Sequence, residues 1–181
     1  MLRRLTAITF ALLSINYISA VSANNAADKL SETSKVSLNT VGPIRVGMTV
    51  KQASEAAGVK LTRENSRLDD SCTFYYPPAN LKGLAFMVNN GRINRIEVTS
   101  PKFTTVSGAK VGDSETKIKS LYGDRIQVIP HKYIGGGHYL IFVPKDFVDK
   151  NYRLIFETDG KKVTRWRTGQ LPQVEFVEGC A

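Results

Sequence analysis

Gly42-Pro43-Ile44-Arg45-Val46-Gly47-Met48-Thr49 leads into an Ala-rich segment that ends at Gly58, and Ser107-Gly108-Ala109-Lys110-Val111-Gly112-Asp113-Ser114 leads into a second segment that ends at Gly123. The interval from Gly47 to Gly112 equals that from Gly58 to Gly123. Further on, Asn89-Asn90-Gly91-Arg92-Ile93-Asn94-Arg95-Ile96 recurs as Thr158-Asp159-Gly160-Lys161-Lys162-Val163-Thr164-Arg165-Trp166, with one residue inserted. A fixed internal period marks one structural unit used more than once. The chain is therefore expected to hold two tandem repeats, over 41–106 and 107–181, packed as one compact unit.

Each repeat reads as α+β. Thr49 is a helix N-cap, Val50, Ala53, Ala56 and Ala57 share one side of the short helix that follows, and Gly58 suits its end. Ser114 is the matching cap, with Ile118, Leu121 and Tyr122 on the buried face before Gly123. Strands dominate the rest. Cys72–Tyr76 is stopped by Pro77-Pro78. Leu84–Val88 and Ile93–Val98 flank Asn89-Asn90-Gly91, a hairpin signal because Asn and Gly tolerate positive φ. Arg125–Ile129, His138–Val143, Tyr152–Thr158 and Val163–Thr168 follow, with Asp159-Gly160 at the equivalent turn and a last strand expected over Gln173–Val177. Each helix then covers one face of an antiparallel meander.

The first residues read as an export signal. Arg3 and Arg4 form the positive region, Leu5–Ala20 is mostly apolar, and Val21-Ser22-Ala23 offers small residues for cleavage after Ala23. The run is short and interrupted for a membrane span, so 1–23 is expected to be removed, leaving no transmembrane segment in a periplasmic or secreted protein. Residues 24–40 read as a flexible, polar leader. Cys72 and Cys180 are the only cysteines, and an oxidising compartment favours pairing them. A reactive or metal-binding thiol is the alternative, but neither residue has a neighbouring Cys or His at ligand spacing.

The full chain carries 25 Lys+Arg against 16 Asp+Glu, a formal charge of +9. Loss of Arg3 and Arg4 with the signal leaves +7. Such a protein is drawn to anionic surfaces, either an envelope polymer or an acidic partner protein. Nucleic acid is disfavoured by the export signal and by the lack of a concentrated basic run.

The layout, with a capped helix start, Gly at the helix end and an antiparallel sheet used twice, resembles the beta-lactamase-inhibitor-protein fold and that of the small lipoprotein subunit of the outer-membrane assembly machine. A closer resemblance, carried by Gly42–Thr49, Pro130-His131-Lys132-Tyr133, Gly137-His138-Tyr139 and Val177-Glu178-Gly179-Cys180, is to a family of exported bacterial proteins without an assigned function. It implies no catalytic residues. With one possible bridge the chain lacks the disulfide pattern of the inhibitor, so inhibition of a beta-lactamase is not implied.

The densest candidate chemistry is His131-Lys132-Tyr133-Ile134-Gly135-Gly136-Gly137-His138, which holds both histidines of the chain. Opposed across a hairpin, the imidazoles would form part of a metal or acid/base site, with a third ligand from Asp69, Asp70 or Glu178. No motif with fixed metal-ligand spacing is present, so the bland reading is a glycine turn with its His rings hydrogen-bonded at the base, and no metal or cofactor is expected. Ile93, Arg95 and Glu97 alternate with Asn94, Ile96 and Val98, as Val163, Arg165 and Arg167 do with Thr164, Trp166 and Thr168. This places Ile96 and Trp166 toward the core and Arg95 and Arg165 at matching outer positions. Paired arginines on a sheet face suit a carboxylate or phosphate; equally, exposed strand charges simply keep sheets from aggregating. Trp166, Tyr75, Tyr76, Tyr133 and Tyr139 are aromatic anchors for a protein surface or core filling.

The expected function is non-enzymatic: an exported envelope protein that binds a protein partner or an anionic polymer through a sheet face or the groove between repeats, using Arg95, Arg165, Arg167, His131, His138 and Trp166. A small metal-dependent or acid/base enzyme using His131 and His138, and a purely structural envelope protein, are the alternatives. The sequence leaves the oligomeric state open.

Overall fold

Eight strands form one antiparallel sheet. The computed structural model describes residues 29–63 and 71–180; the expected signal at 1–23, the first residues of the expected leader and Asp69-Asp70 lie outside the described residues. A two-stranded ribbon, β1 (Thr40–Val41) and β2 (Ile44–Arg45), opens the fold. Then come α1 (Val50–Ala57), β3 (Thr62–Arg63), β4 (Cys72–Tyr76), β5 (Leu84–Asn89) and β6 (Arg92–Val98). The same order of elements follows in α2 (Glu115–Tyr122), β7 (Ile126–Pro130), β8 (His138–Phe142), β9 (Tyr152–Thr158) and β10 (Val163–Gln170). The strand order is β3-β4-β5-β6-β10-β9-β8-β7, so the last strand of each half meets its counterpart at a central seam.

Eight-residue helices are marginal alone, and both rely on caps and on packing. The Thr49 hydroxyl accepts from the Gln52 N–H at 3.3 Å while Gln52 Oε1 accepts from the Thr49 N–H at 2.9 Å, a reciprocal capping box. Ser114 accepts from the Lys117 N–H at 3.2 Å. Ala53 and Ala57 of α1, and Ile118 and Tyr122 of α2, are buried against the sheet. Leu121, expected on the buried face, is 38% exposed.

The tight turn between β5 and β6 is set by Asn90 and Gly91, both at positive φ (50° and 75°), the combination that matches strand twist in a two-residue hairpin. Each hairpin then carries a bulge. Met87 pairs with Arg95 and Val88 with Ile93, leaving Asn94 unopposed; Glu157 pairs with Arg165 and Thr158 with Val163, leaving Thr164 unopposed. The extra residue resets the side-chain alternation. Ile93 is buried with Ile96 and Val98, and Val163 with Trp166 and Thr168, where strict alternation had set Ile93 and Val163 on the other face. Trp166 packs in this layer at 5.9 Å from Phe156, and Tyr122 lies 5.1 Å from Phe142 and 5.6 Å from Phe156.

Two expectations are corrected. From Lys29 on, the leader is part of the fold: Leu30 and Val36 are buried, the Val36 N–H donates to the Thr104 carbonyl at 3.0 Å, and the Val36 carbonyl accepts from the Val106 N–H at 2.9 Å. Apolar side chains that bury here outweigh the polar composition around them. Gln173–Val177 is not a strand but starts as a 3-10 turn (Gln173–Glu175), because the segment crosses β6, β9 and β10 rather than lying beside an edge. Cys72 and Cys180 are bonded, with Cα atoms 5.4 Å apart and a sequence separation of 108, fixing the end of this segment to β4. A loop of that length contributes about 4–5 kcal/mol in the chain-entropy account.

The seam itself is tight. A Cβ on Gly169 would stand 2.3 Å from the Asn94 carbonyl oxygen and 2.8 Å from Arg95 Cα, both backbone atoms of β6. Gly169→Ala is therefore expected to lower stability by about 1–3 kcal/mol, read as an earlier midpoint in urea unfolding with the disulfide intact.

Candidate functional site

The sheet face opposite the helices carries the arginines singled out in the sequence. Arg167 stands opposite Glu97 on β6 and Ile155 on β9, Arg165 opposite Glu157, and Glu157 opposite Tyr139 on β8. Residues directly opposed in antiparallel strands share a face. Arg95 joins them through Met87 and Gly169. Over this face runs the segment 171–180, here called the strap.

Glu157 is the hub. Its side chain is 2% exposed. Oε1 accepts from Arg167 Nη1, and Oε2 accepts from Arg165 Nε at 2.7 Å and faces His131 Nε2 at 3.4 Å. The other imidazole nitrogen, Nδ1, accepts from the backbone N–H groups of Tyr133 (3.1 Å) and Ile134 (3.2 Å). An acceptor Nδ1 places the ring proton on Nε2, where it donates to Glu157. The His131 ring stacks on Tyr139, centroids 4.4 Å apart.

The arginines hold the strap by its backbone. Arg95 Nη1 donates to the carbonyl oxygens of Phe176 at 2.5 Å and Gln173 at 3.3 Å, while Nη2 pairs with Glu97. Arg167 Nε donates to the Val174 carbonyl at 2.6 Å. A 3-10 turn across a sheet face leaves its carbonyls without ladder partners, and buried carbonyls need donors; the guanidinium forks supply them. Between these polar bonds Val174, fully buried, packs on Tyr139 and Ile155. At the rim, Glu178 Oε1 accepts from Lys132 Nζ at 3.0 Å and from the Tyr133 hydroxyl.

The expected binding residues thus fall into different environments. Arg95 and Arg167 are covered (4% and 3% exposed), and Trp166 (1%) belongs to the core. Arg165 keeps a half-exposed side chain. His138 lies on the other side of β8 from Tyr139, with Nδ1 2.8 Å from Glu115 Oε1, which also accepts from the Thr158 hydroxyl at 2.5 Å. The two histidines therefore engage different carboxylates on opposite sheet faces and do not face each other across the glycine turn. Tyr133 is exposed and Tyr139 buried. Among the described residues no group of three or more His, Cys, Asp and Glu gathers at metal-binding distance.

Sequence reasoning missed Glu157 and the strap. The available signal was a carboxylate ending the apolar run Leu154-Ile155-Phe156, at the position paired with Arg165. It also missed a recess of about 270 Å³ on the helix side, lined by the apolar Val36, Leu38, Val106, Tyr122, Phe142 and Leu154 and by the polar Ser37, Asn39, Thr105, Ser107 and Asp149. Beside it stand Val106 and, in the same 3-10 turn as Asp149, Phe147 and Val148, exposed by 67%, 76% and 82%.

The fold is α+β, with a mostly antiparallel sheet and few helices. No family model and no curated protein matches the chain. Among solved structures it is similar to the crystal structure of the uncharacterized protein YfeY from Escherichia coli, at 17% identity and a TM-score of 0.47, over 75% of this chain and 99% of that one.

Burial alone pushes the Glu157 carboxyl up, but Arg167, Arg165 and the His131 hydrogen bond outweigh it and hold the group below its ordinary value of 4.5. A carboxyl lowered in the folded state contributes its stability in full above the unfolded value and loses it as pH falls through the folded one. Wild-type stability is expected to decline below about pH 4.5. Glu157→Gln, which leaves Arg167 buried without its counter-charge, is expected to cost about 3–5 kcal/mol near neutrality and to flatten that acid decline, as measured by urea unfolding across pH.

Proposed function

We propose that the chain is an exported, non-enzymatic binding protein of the bacterial cell envelope, built from two copies of one αβ unit, and that it engages an acidic protein partner at the recess beside Val106. The observation that carries this reading is the pairing of an apolar recess with an apolar rim. Val106 lines the recess and stands out into solvent, as do Phe147 and Val148 in the turn that contributes Asp149 to it, and exposed apolar groups about a recess mark an interaction site. A recess of about 270 Å³ suits one anchoring side chain of a partner, and such anchors in fitted pockets carry most of the energy of an interface. The formal +7 that remains after loss of the signal favours an acidic partner and speeds encounter.

Export is supported by the pattern at 1–23, by the Cys72–Cys180 bridge, and by the fact that no helix among the described residues is long and apolar enough to cross a membrane. The non-enzymatic reading is supported by how the titratable groups are used: His131, Glu157, Arg95 and Arg167 are occupied with one another and with the strap. The strap already fills the sheet face on which a cationic groove was expected, which moves the binding surface to the helix side. Duplication is supported by the shared order of elements and by bulges at matching positions, Asn94 and Thr164.

Affinity capture from the cell-envelope fraction, comparing the wild type with Val106→Glu and Phe147→Glu, tests this. A saturable protein partner retained by the wild type and lost with either variant is expected. Capture of anionic polymer alone, released as salt rises and indifferent to both substitutions, would leave charge as the operative feature and overturn the recess.

A further inference from the structure

The sheet has two edges, and they differ. At one lies β3, two residues long and ending in Arg63. At the other lies β7, Ile126-Gln127-Val128-Ile129-Pro130, five residues without a charge, exposed from Gln127 onward, and paired on one side only among the described residues. Natural edges are usually blunted by charge, brevity or cover. Val128 and Ile129 remain 43% and 45% exposed here.

The backbone of β7 has a defined parity. The His131 N–H donates to the Gly137 carbonyl at 2.9 Å, and the Val143 N–H donates to the Arg125 carbonyl at 3.0 Å. In an antiparallel pair the hydrogen-bonded positions alternate, so Arg125, Gln127, Ile129 and His131 bond toward β8. Ile126, Val128 and Pro130 turn their backbone groups to the open edge. Proline there has no N–H to leave unmet, so the outward donors of the strand are those of Ile126 and Val128.

We infer that β7 pairs antiparallel with β7 of a second copy of this chain, with Val128 on the two-fold axis, joining two sheets into one. In that register the two Val128 residues exchange both N–H···O bonds, and the Ile126 N–H of each copy meets the Pro130 carbonyl of the other. Every outward donor of the edge is satisfied. The same register brings the residues that flank the strand, Asp124 in the 3-10 turn before it and Lys132 of the second copy in the bend after it, to the same end of the interface. Both side chains are exposed, 77% and 56%, and each pairs with a surface group of opposite sign in the single chain (Lys145 and Glu178), so the flanks meet as complementary charges. A slip by one residue would put Asp124 against His131 or Tyr133, lose that match and set inward-bonding positions against outward ones. A two-fold interface uses the same patch on both copies, as a self-complementary edge requires. The inference uses neither Val106 nor Phe147, and its test reads association of the chain with itself rather than capture of a different protein, so it stands or falls separately from the recess.

Sedimentation equilibrium of the disulfide-bonded protein tests it. A concentration-dependent dimer is expected. Val128→Lys, which sets two like charges face to face on the axis, is expected to weaken the dimer at least about tenfold with circular dichroism unchanged. Mixing Val128→Lys with Val128→Glu is expected to restore a heterodimer. Lys132→Glu, on an exposed side chain outside the strand, is expected to weaken association, and Asp124→Lys added to it to recover it. A single-chain mass at every concentration up to about 1 mM, or a dimer indifferent to Val128→Lys, would overturn the inference; a dimer broken at Val128 that ignores both charge variants would overturn the register.

Discussion

An antiparallel sheet of eight strands has two faces, and the described residues hold only two short α-helices, both on the same side. The uncovered face has to be closed by something else, and it is closed by a segment that forms no strand. That solution creates a local difficulty: a turn laid across a sheet brings carbonyl groups into a buried layer with no N–H ladder to meet them. Arg95 and Arg167 meet it. Much else on this face follows. Buried guanidinium groups require carboxylates, which Glu97 and Glu157 provide, and a buried carboxylate is tolerated only with its lone pairs engaged, which draws in Arg165 and His131.

Such a network is poor evidence of large net stability, since removing charges from water offsets most of what their attraction contributes. What it does supply is position. Arg95 reads the strap at Gln173 and Phe176, Arg167 reads it at Val174, and the disulfide anchors it at Cys180. Val174 alone would bury its side chain in several neighbouring placements; the forks and the covalent tie select one. The face that looks cationic in sequence is in the folded protein internally neutralised, with Arg165 left at its border.

Local signals were legible because local physics decides them. Thr49, Ser114 and Gly58 mark helix ends through bonds and backbone angles that span a few residues, and Asn90-Gly91 fixes a turn by itself. Arg95 and Arg165 on one sheet face, and Ile96 and Trp166 on the other, followed from period-two alternation. The placement of Ile93 and Val163 did not, because Asn94 and Thr164 carry no mark that distinguishes a bulged residue from a paired one. The burial of Arg95 depends on residues 173–176, remote in sequence and without helical or strand periodicity of their own. Gln173–Val177 reads as a strand by composition, and only the presence of a filled sheet, with no room beside β10, turns it across the face. For the same reason Leu30 and Val36 look like isolated apolar residues in a polar leader until the groove that receives them exists.

The seam between β6 and β10 has a mechanical meaning. Proteins made of two similar halves often join them by a linker and close on a ligand by swinging one half against the other. Here the halves share a backbone ladder from Arg95–Gly169 to Val98–Trp166, drawn in closely at Gly169, and rotation of one half would have to break that ladder outright. Among the described residues, the two halves of the sheet meet through this ladder and not through a hinge. The described sheet is built as a rigid platform rather than a clamp, with segments such as the turn at Phe147–Asp149 lying outside the ladder.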